Sequence, residues 1–338
     1  MAQNRLGGQT ISFIQNLPRI TSRASIVGKK EGEGPLAQYF DKILEDDLWG
    51  EKSWEKAERR MFIEAAQLIM KKAKKEPADI NYLFGGDLLD QIISAAYAAR
   101  SLGIPFYGLY GACSTMTESI SLGAVMVDGG YADHVLCLTS SHFCTAERQF
   151  RFPLEMGTQR PPTAQWTVTG AGGVLLSSSG EGPCITHVTT GKVIDFGIKD
   201  ANNMGAAMAP AAADTIRAHF EDTGRGPEDY DLIVTGDLAK YGRELTIHLL
   251  KKEGYDIESR FIDCGCEIFS EEQDIHAGAS GCGCSAVVLA GYLLKQMEDG
   301  QFNRILMAST GALHSTVSSQ QGDSIPGIAH AIAIEKKG

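Results

Sequence analysis

A chain of 338 residues has ample length to bury a core, and one large or two fused α/β units are expected. Its residues are 43% apolar and 22% charged, which leaves little room for disorder, and the formal charge of −11 disfavours nucleic acid or bare anionic lipid as a partner. The opening stretch MAQNRLGGQTISFIQ has neither the apolar core nor the small-residue cleavage site of a secretory signal, so the chain is expected in the cytosol or on the cytosolic face of a membrane. Structural disulfides are then not expected, and the eight cysteines read as buried small residues, a catalytic thiol or metal ligands.

In chain order, the first clear element is a helix from Ser53 to Lys74. Apolar residues at Trp54, Ala57, Met61, Ala65, Ile69 and Ala73 give it one apolar face, and its last turn is rich in lysine. Asp79-Ile-Asn-Tyr-Leu-Phe-Gly-Gly-Asp87-Leu reads as a short strand, and Asp229-Tyr-Asp-Leu-Ile-Val-Thr-Gly-Asp237-Leu repeats it in the second half. Asp87 precedes Cys113 by 26 residues and Asp237 precedes Cys264 by 27, each interval holding an amphipathic helix and then a strand. The echo continues. A small-residue helix from Cys113 to Val127 leads to a buried strand at His134 to Thr139, and a like helix from Cys282 to Met297 leads to a strand at Arg304 to Ala308. Further strands are expected at Val174 to Ser178, Ile185 to Gly191 and His330 to Glu335, and a further helix at Ala207 to Phe220 with Pro210 in its first turn.

Strands alternating with helices imply βαβ crossovers and mostly parallel sheets, so two stacked sheets with a helical layer between them are expected. The halves divide at residues 1–180 and 181–338. The stretch from about 140 to 169 shows no clean period and reads as an inserted loop in the first half, of the sort that often binds ligands or a partner subunit. The uncharged run from Ala277 to Leu294 is too rich in Gly and Ser in its first half to stay helical. Its apolar remainder falls short of the roughly 20 residues a membrane span needs.

The strongest local signature is Tyr107-Gly-Leu-Tyr-Gly-Ala-Cys113-Ser-Thr-Met-Thr-Glu118, which puts a cysteine after a strand and in the first turn of a helix, with Thr115 and Glu118 spaced as a capping box. Helix-terminal N–H groups stabilise a thiolate, as a nucleophilic cysteine requires; a small buried filler is the other reading. Cys264-Gly-Cys266 and Cys282-Gly-Cys284 flank His276, but structural zinc usually takes wider pairs held on tight turns. Here one pair follows a strand and the other begins a helix, so no metal and no cofactor is assigned.

Gly-Ala-Cys113-Ser-Thr resembles the nucleophile turn of the thiolases and ketoacyl synthases, and the Gly-Asp-Leu echo is similar to their duplicated halves. The resemblance implies a thiolase-like fold, an α-β-α-β-α sandwich of five layers, and a homodimer. His276-Ala-Gly-Ala-Ser-Gly281 is similar to the family's Gly-His-Pro-x-Gly-Ala-Ser-Gly segment, but it is one residue shorter between the His and the Gly-Ala-Ser-Gly and lacks the proline. Where condensing enzymes carry a histidine at a strand end, Val234-Thr-Gly-Asp237 offers an aspartate, which repels an enolate when ionised. Condensing activity is therefore expected to be lost. The alternative keeps it, with Cys113 as acyl acceptor and His276 as base.

Over its whole length the chain resembles one branch of that superfamily, the stage V sporulation protein AD family of spore-forming bacteria. The residues that carry this are Leu83-Phe-Gly-Gly-Asp-Leu-Leu89, Gly111-Ala-Cys-Ser-Thr115, Thr139-Ser-Ser-His142, Thr145-Ala-Glu-Arg-Gln-Phe-Arg151, Met208-Ala-Pro-Ala-Ala-Ala-Asp-Thr-Ile216, Gln320-Gln321 and Ser324-Ile-Pro326. It implies a non-enzymatic role: binding dipicolinic acid, free or as its calcium chelate, and aiding its uptake into the developing spore. The partners implied are membrane proteins of one sporulation complex, with this chain peripheral on the cytoplasmic face of the spore inner membrane. A small planar dianion would want helix-terminal N–H donors, which Cys113, Ser280 and Gly281 could supply, and positive charge from His142, Arg148 and Arg151. Asp237 is expected to line the same pocket. For Arg148 and Arg151 the competing reading is a salt-bridged interface loop.

Overall fold

The structure is a computed structural model, and the residues it describes are 4–13, 15–150 and 159–337. Ten main strands run in one hydrogen-bonded path, five from each half. In the first half the order is Arg19–Val27, Gly170–Ser177, His134–Ser141, Tyr82–Gly86 and Phe106–Gly108. Tyr82–Gly86 runs parallel to both its neighbours, whereas Gly170–Ser177 is antiparallel to both of its own. The second half repeats this with Cys184–Thr190, Gly327–Glu335, Arg304–Ala312, Leu232–Thr235 and Phe261–Asp263; here Gly327–Glu335 is the antiparallel member. The two five-strand units touch edge to edge through the pair Arg19 and Cys184.

The apolar clusters reveal the layers. Met61, Phe62, Ile69 and Ala98 of the helices Trp54–Ala73 and Ile93–Leu102 pack on Leu83, Leu136 and Leu175 of the first sheet. Ala212, Ile216 and Phe220 of the helix Met204–Thr223 pack on Ile233, Leu306 and Ala331 of the second, with Leu250 of the helix Ala239–Lys252. Between the sheets lie the helix Thr115–Asp128 and the segment from Cys282 to Glu298. Their Met116, Ile120, Val287 and Leu293 meet Cys137 and Val174 from one sheet and Val234 and Ile332 from the other. Helix, sheet, helix, sheet and helix make the expected five layers. Strands covered on both faces read as continuous apolar runs, and His134–Ser141 is buried at every position after the first.

The helices start and bend where local chemistry directs. Ser53 accepts a hydrogen bond from the Lys56 N–H and Asn203 one from Ala206, so each caps its helix. The helix Met204–Thr223 begins earlier than the sequence pattern indicated, which moves Pro210 from the first turn to the second. Thr115 and Glu118 form no capping box: the Thr115 hydroxyl donates to the Ala112 carbonyl and accepts from the Gly111 N–H, tightening the turn itself. The segment from Val288 to Leu293 is π-helical, and Arg23 supplies a donor to the Ala290 carbonyl there. Within the stretch expected to be an irregular loop, the structure has the helix Phe143–Phe150 and the strand Gln165–Thr167, which pairs in parallel with Gly278–Ser280. Two helical turns are too short to declare a period, and a three-residue strand is legible only through its partner.

Candidate functional site

The turn before the Thr115–Asp128 helix brings Cys113 to the centre of the molecule. Ala112 is left-handed, with φ 50°, and a short 3-10 turn over Ala112–Ser114 leads into the helix. The strand Arg304–Ala312 approaches this turn so closely that a Cβ on Gly311 would meet the Gly111 carbonyl oxygen at 2.2 Å, so glycine is required there. Cys113 faces a cavity of about 310 Å³ lined from both halves. Leu88, Tyr110, Ala146, Phe150, Gln165 and Thr167 come from the first, and Asn202, Met204, Met208, Ser280 and His314 from the second. Leu88, Ala146, Cys113 and Cys282 form a small apolar cluster with Phe150 packed against it.

The sulfur's surroundings are acidic. Cys113 Sγ lies 3.8 Å from the Ser280 hydroxyl, which donates to Asp237 Oδ2 at 3.0 Å; the Gly281 N–H donates to the same oxygen at 3.1 Å, and Thr310 donates to Oδ1 at 2.7 Å. Burial pushes the Cys113 thiol well above its ordinary range, and the charge of Asp237 pushes it the same way. Burial also raises the Asp237 carboxyl, against the hydrogen bonds it accepts from Thr310, Gly281 and Ser280. The helix N-terminus does not overcome these two effects, so the thiol is held protonated; of the two readings the sequence left open, a thiolate nucleophile and a small buried residue, the first is not favoured by these surroundings. Next to Asp237, Asp263 accepts from Thr235 and from the N–H groups of Leu238 and Ala239, and burial lifts its carboxyl to about 7.

The echoed aspartates therefore perform different tasks. Asp87 accepts from the Leu89 and Ala95 N–H groups and caps the start of its own helix. In the second half Asp263 takes over that task and frees Asp237 to sit behind Ser280. Asp237 is fully buried and lies behind the lining, hydrogen-bonded to Ser280.

The remaining residues singled out in the sequence are dispersed. Ser280 lines the cavity, whereas the Gly281 N–H is spent on Asp237. His276 is outside the lining: its Nδ1 hydrogen-bonds the Pro161 carbonyl at 2.7 Å and its Nε2 lies 3.3 Å from Asp274. Among the described residues no hydrogen bond joins Cys113 to an imidazole. His142 is buried, with Nδ1 accepting from the Cys144 N–H, so Nε2 carries the proton and donates to the Asp47 carbonyl at 2.8 Å. Burial lowers its pKa, which leaves it neutral rather than a source of positive charge. Arg148 pairs with Glu55 and stacks over Trp54 at 5.3 Å. Arg151 lies outside the described residues. Among the described residues, no cluster of His, Cys, Asp and Glu is arranged to hold a metal ion. None of the described lining residues is a lysine or an arginine.

Tyr110, Phe150, Gln165, Asn202 and His314 carry the cavity's polar and aromatic character, and sequence reasoning missed them as site residues. Tyr110 lay inside the nucleophile motif, three residues before Cys113, and that proximity was the one available signal. Phe150 ends a helix, Gln165 opens a short strand, and Asn202 and His314 lie in connecting segments, so they meet only in the folded chain.

The model of the family described as stage V sporulation protein AD matches residues 7–335. Stage V sporulation protein AD of Bacillus subtilis (strain 168) is 46% identical over 319 residues, covering 94% of this chain and 94% of the relative. Among solved structures, the fold is similar to 3-oxoacyl-[acyl-carrier-protein] synthase III from Aquifex aeolicus, with a TM-score of 0.55 at 13% identity over 94% of this chain and 100% of that one. It is likewise similar to a variant of OleA from Xanthomonas campestris, with a TM-score of 0.58 at 15% identity over 98% and 99%. Likeness at that level of identity concerns the fold alone. With its two echoed halves, its thiol at the head of a central helix and this match over nearly its full length, the chain belongs to the stage V sporulation protein AD family and has a thiolase-like fold.

Proposed function

We propose that the chain binds dipicolinic acid, free or as its calcium chelate, without catalysing a reaction, and that it aids uptake of this acid into the developing spore. It does so as a homodimer in a complex with membrane proteins, on the cytoplasmic face of the spore inner membrane. Among the described residues no helix is long and apolar enough to cross a membrane, which is compatible with a peripheral position. One observation carries the reading. The family thiol lies in a cavity of about 310 Å³, at the small end of the range of about 300–1,000 Å³ typical of ligand pockets, and it is backed by Ser280 and Asp237 rather than by an imidazole. A protonated thiol beside a carboxyl lacks the driving force for acyl transfer, and an anionic neighbour opposes the oxyanion such chemistry must stabilise.

The second reading, a working acyltransferase, draws on the position of Cys113 at the head of a helix and in the cavity lining. Intact-mass spectrometry after incubation with acetyl-CoA and malonyl-CoA separates the two. Binding alone leaves Cys113 unmodified, while an acyl adduct on that residue supports the enzyme and removes the proposal.

A further inference from the structure

His314 follows the Arg304–Ala312 strand, where the chain leaves the second sheet. Its ring lies 5.6 Å from that of Phe150, tilted by 59°, and both residues line the same cavity as Cys113. The Nδ1 atom of His314 is buried and has no hydrogen-bond partner among the described residues. A buried polar nitrogen left unpaired costs free energy, and a ligand that supplies the missing partner recovers it.

Gln165 has a related feature of opposite character. Its Nε2 donates to the carbonyl oxygens of Asp237 and Ala279, which fixes the orientation of the amide and leaves Oε1 as an acceptor. That oxygen too is buried without a partner among the described residues, and it would repel an anion. The cavity thus has an apolar face around Leu88, Phe150 and Cys113, an acceptor oxygen on Gln165, and an imidazole on His314 that can become cationic. With no lysine or arginine among the described lining residues, that imidazole is the group suited to meet a negative charge.

We propose that His314 is the acid-reading residue of the cavity: its imidazole takes up a proton as a flat aromatic carboxylate enters, and donates to one carboxylate oxygen while the ligand's ring lies against Phe150 and the apolar face. The inference rests on the cavity being a small-acid site, and adds the group that recognises the acid. In the empty cavity burial holds the His314 pKa below its ordinary value. An entering carboxylate acts in the opposite direction, so binding is linked to proton uptake and tightens as pH falls through the histidine range.

The other titratable groups in the lining are Tyr110, Cys113 and Glu147, and Asp237 lies behind Ser280. Burial raises the phenol and the thiol, so both stay neutral across the same pH interval. Glu147 is the remaining carboxyl, and Glu147→Gln serves as its control.

The test is calorimetric titration of dipicolinate, phthalate and benzoate into the full chain between about pH 6 and 8, in buffers of differing ionisation enthalpy, which counts protons taken up on binding. The wild type takes up protons. His314→Gln, which keeps a donor but cannot charge, loses the uptake and about tenfold or more in affinity, the scale of a hydrogen bond to a charged group. Glu147→Gln keeps the uptake.

Binding by the wild type without proton uptake overturns the proposal, as does a His314→Gln protein that retains both uptake and affinity. The wild-type measurement decides the question even if that variant does not fold. If dipicolinate gives no heat but another of these acids binds with His314-linked uptake, the assignment of His314 stands and the dipicolinate reading falls. If none of the acids binds, both fall.

Discussion

Burial and the negative charge of Asp237 both oppose ionisation of Cys113, and this sets the chemistry the site can perform. The carboxyl is the second largest influence on the thiol after burial. Replacing Asp237 by Asn removes the negative charge while keeping a side chain of the same shape for Ser280, Gly281 and Thr310. The thiol pKa in that variant should fall, and alkylation of Cys113 by iodoacetamide should reach its half-maximal rate at lower pH than in the wild type. An unchanged alkylation profile would show that Asp237 does not hold the thiol in its protonated form.

At the scale of elements, the two central helices are held against the sheets by small residues. A Cβ added to Gly172, on the strand Gly170–Ser177, would come within 2.7 Å of the Ala286 backbone on the segment that begins at Cys282. Backbone on both sides cannot give way as a flexible side chain would. Gly172→Ala should therefore destabilise the protein by about 1–3 kcal/mol, read as a lower midpoint in urea unfolding with little change in slope. A neutral result would mean that the central layer is looser than its packing implies.

Much of this arrangement was legible in the sequence, because the repeated strand motifs at Asp87 and Asp237 and the paired helices at Cys113 and Cys282 each carry a period or a punctuation mark. The helix Phe143–Phe150 was missed, since eight residues barely complete two turns. His276 and His142 stood out by residue type alone, yet the first is engaged by Pro161 and Asp274 and the second by Asp47 and Cys144. The cavity-lining residues Gln165 and His314 carry no local signal, because their meeting is a property of the tertiary fold.

For the whole molecule, buried ionisable groups give stability a definite dependence on pH. Burial lifts Glu31 and Glu58 from 4.5 to about 8 and Asp263 from 3.8 to about 7. The folded chain therefore holds protons that the unfolded chain releases, and stability is lost as pH rises from about 4 towards 8. In the opposite direction, burial lowers His187 and His330 from 6.5 to about 4 and His219 to about 3, so stability is lost as pH falls below about 6.5. Thermal melts should show Glu58→Gln declining less steeply than the wild type on the alkaline side, because the amide keeps partners in Ser140 and Thr145 and has nothing to ionise. Identical alkaline slopes in the two proteins would mean that Glu58 is not protonated in the fold.

In the function proposed above, the cavity holds a small acid without covalent help from its thiol. The most direct measurement is the affinity of the Cys113→Ser protein for dipicolinate, determined by calorimetry beside the wild type. Binding within a few-fold of the wild type is predicted, because a hydroxyl keeps the shape and the weak donor of a protonated thiol. Complete loss of binding by a folded Cys113→Ser protein would show that sulfur chemistry is required, and would contradict the account.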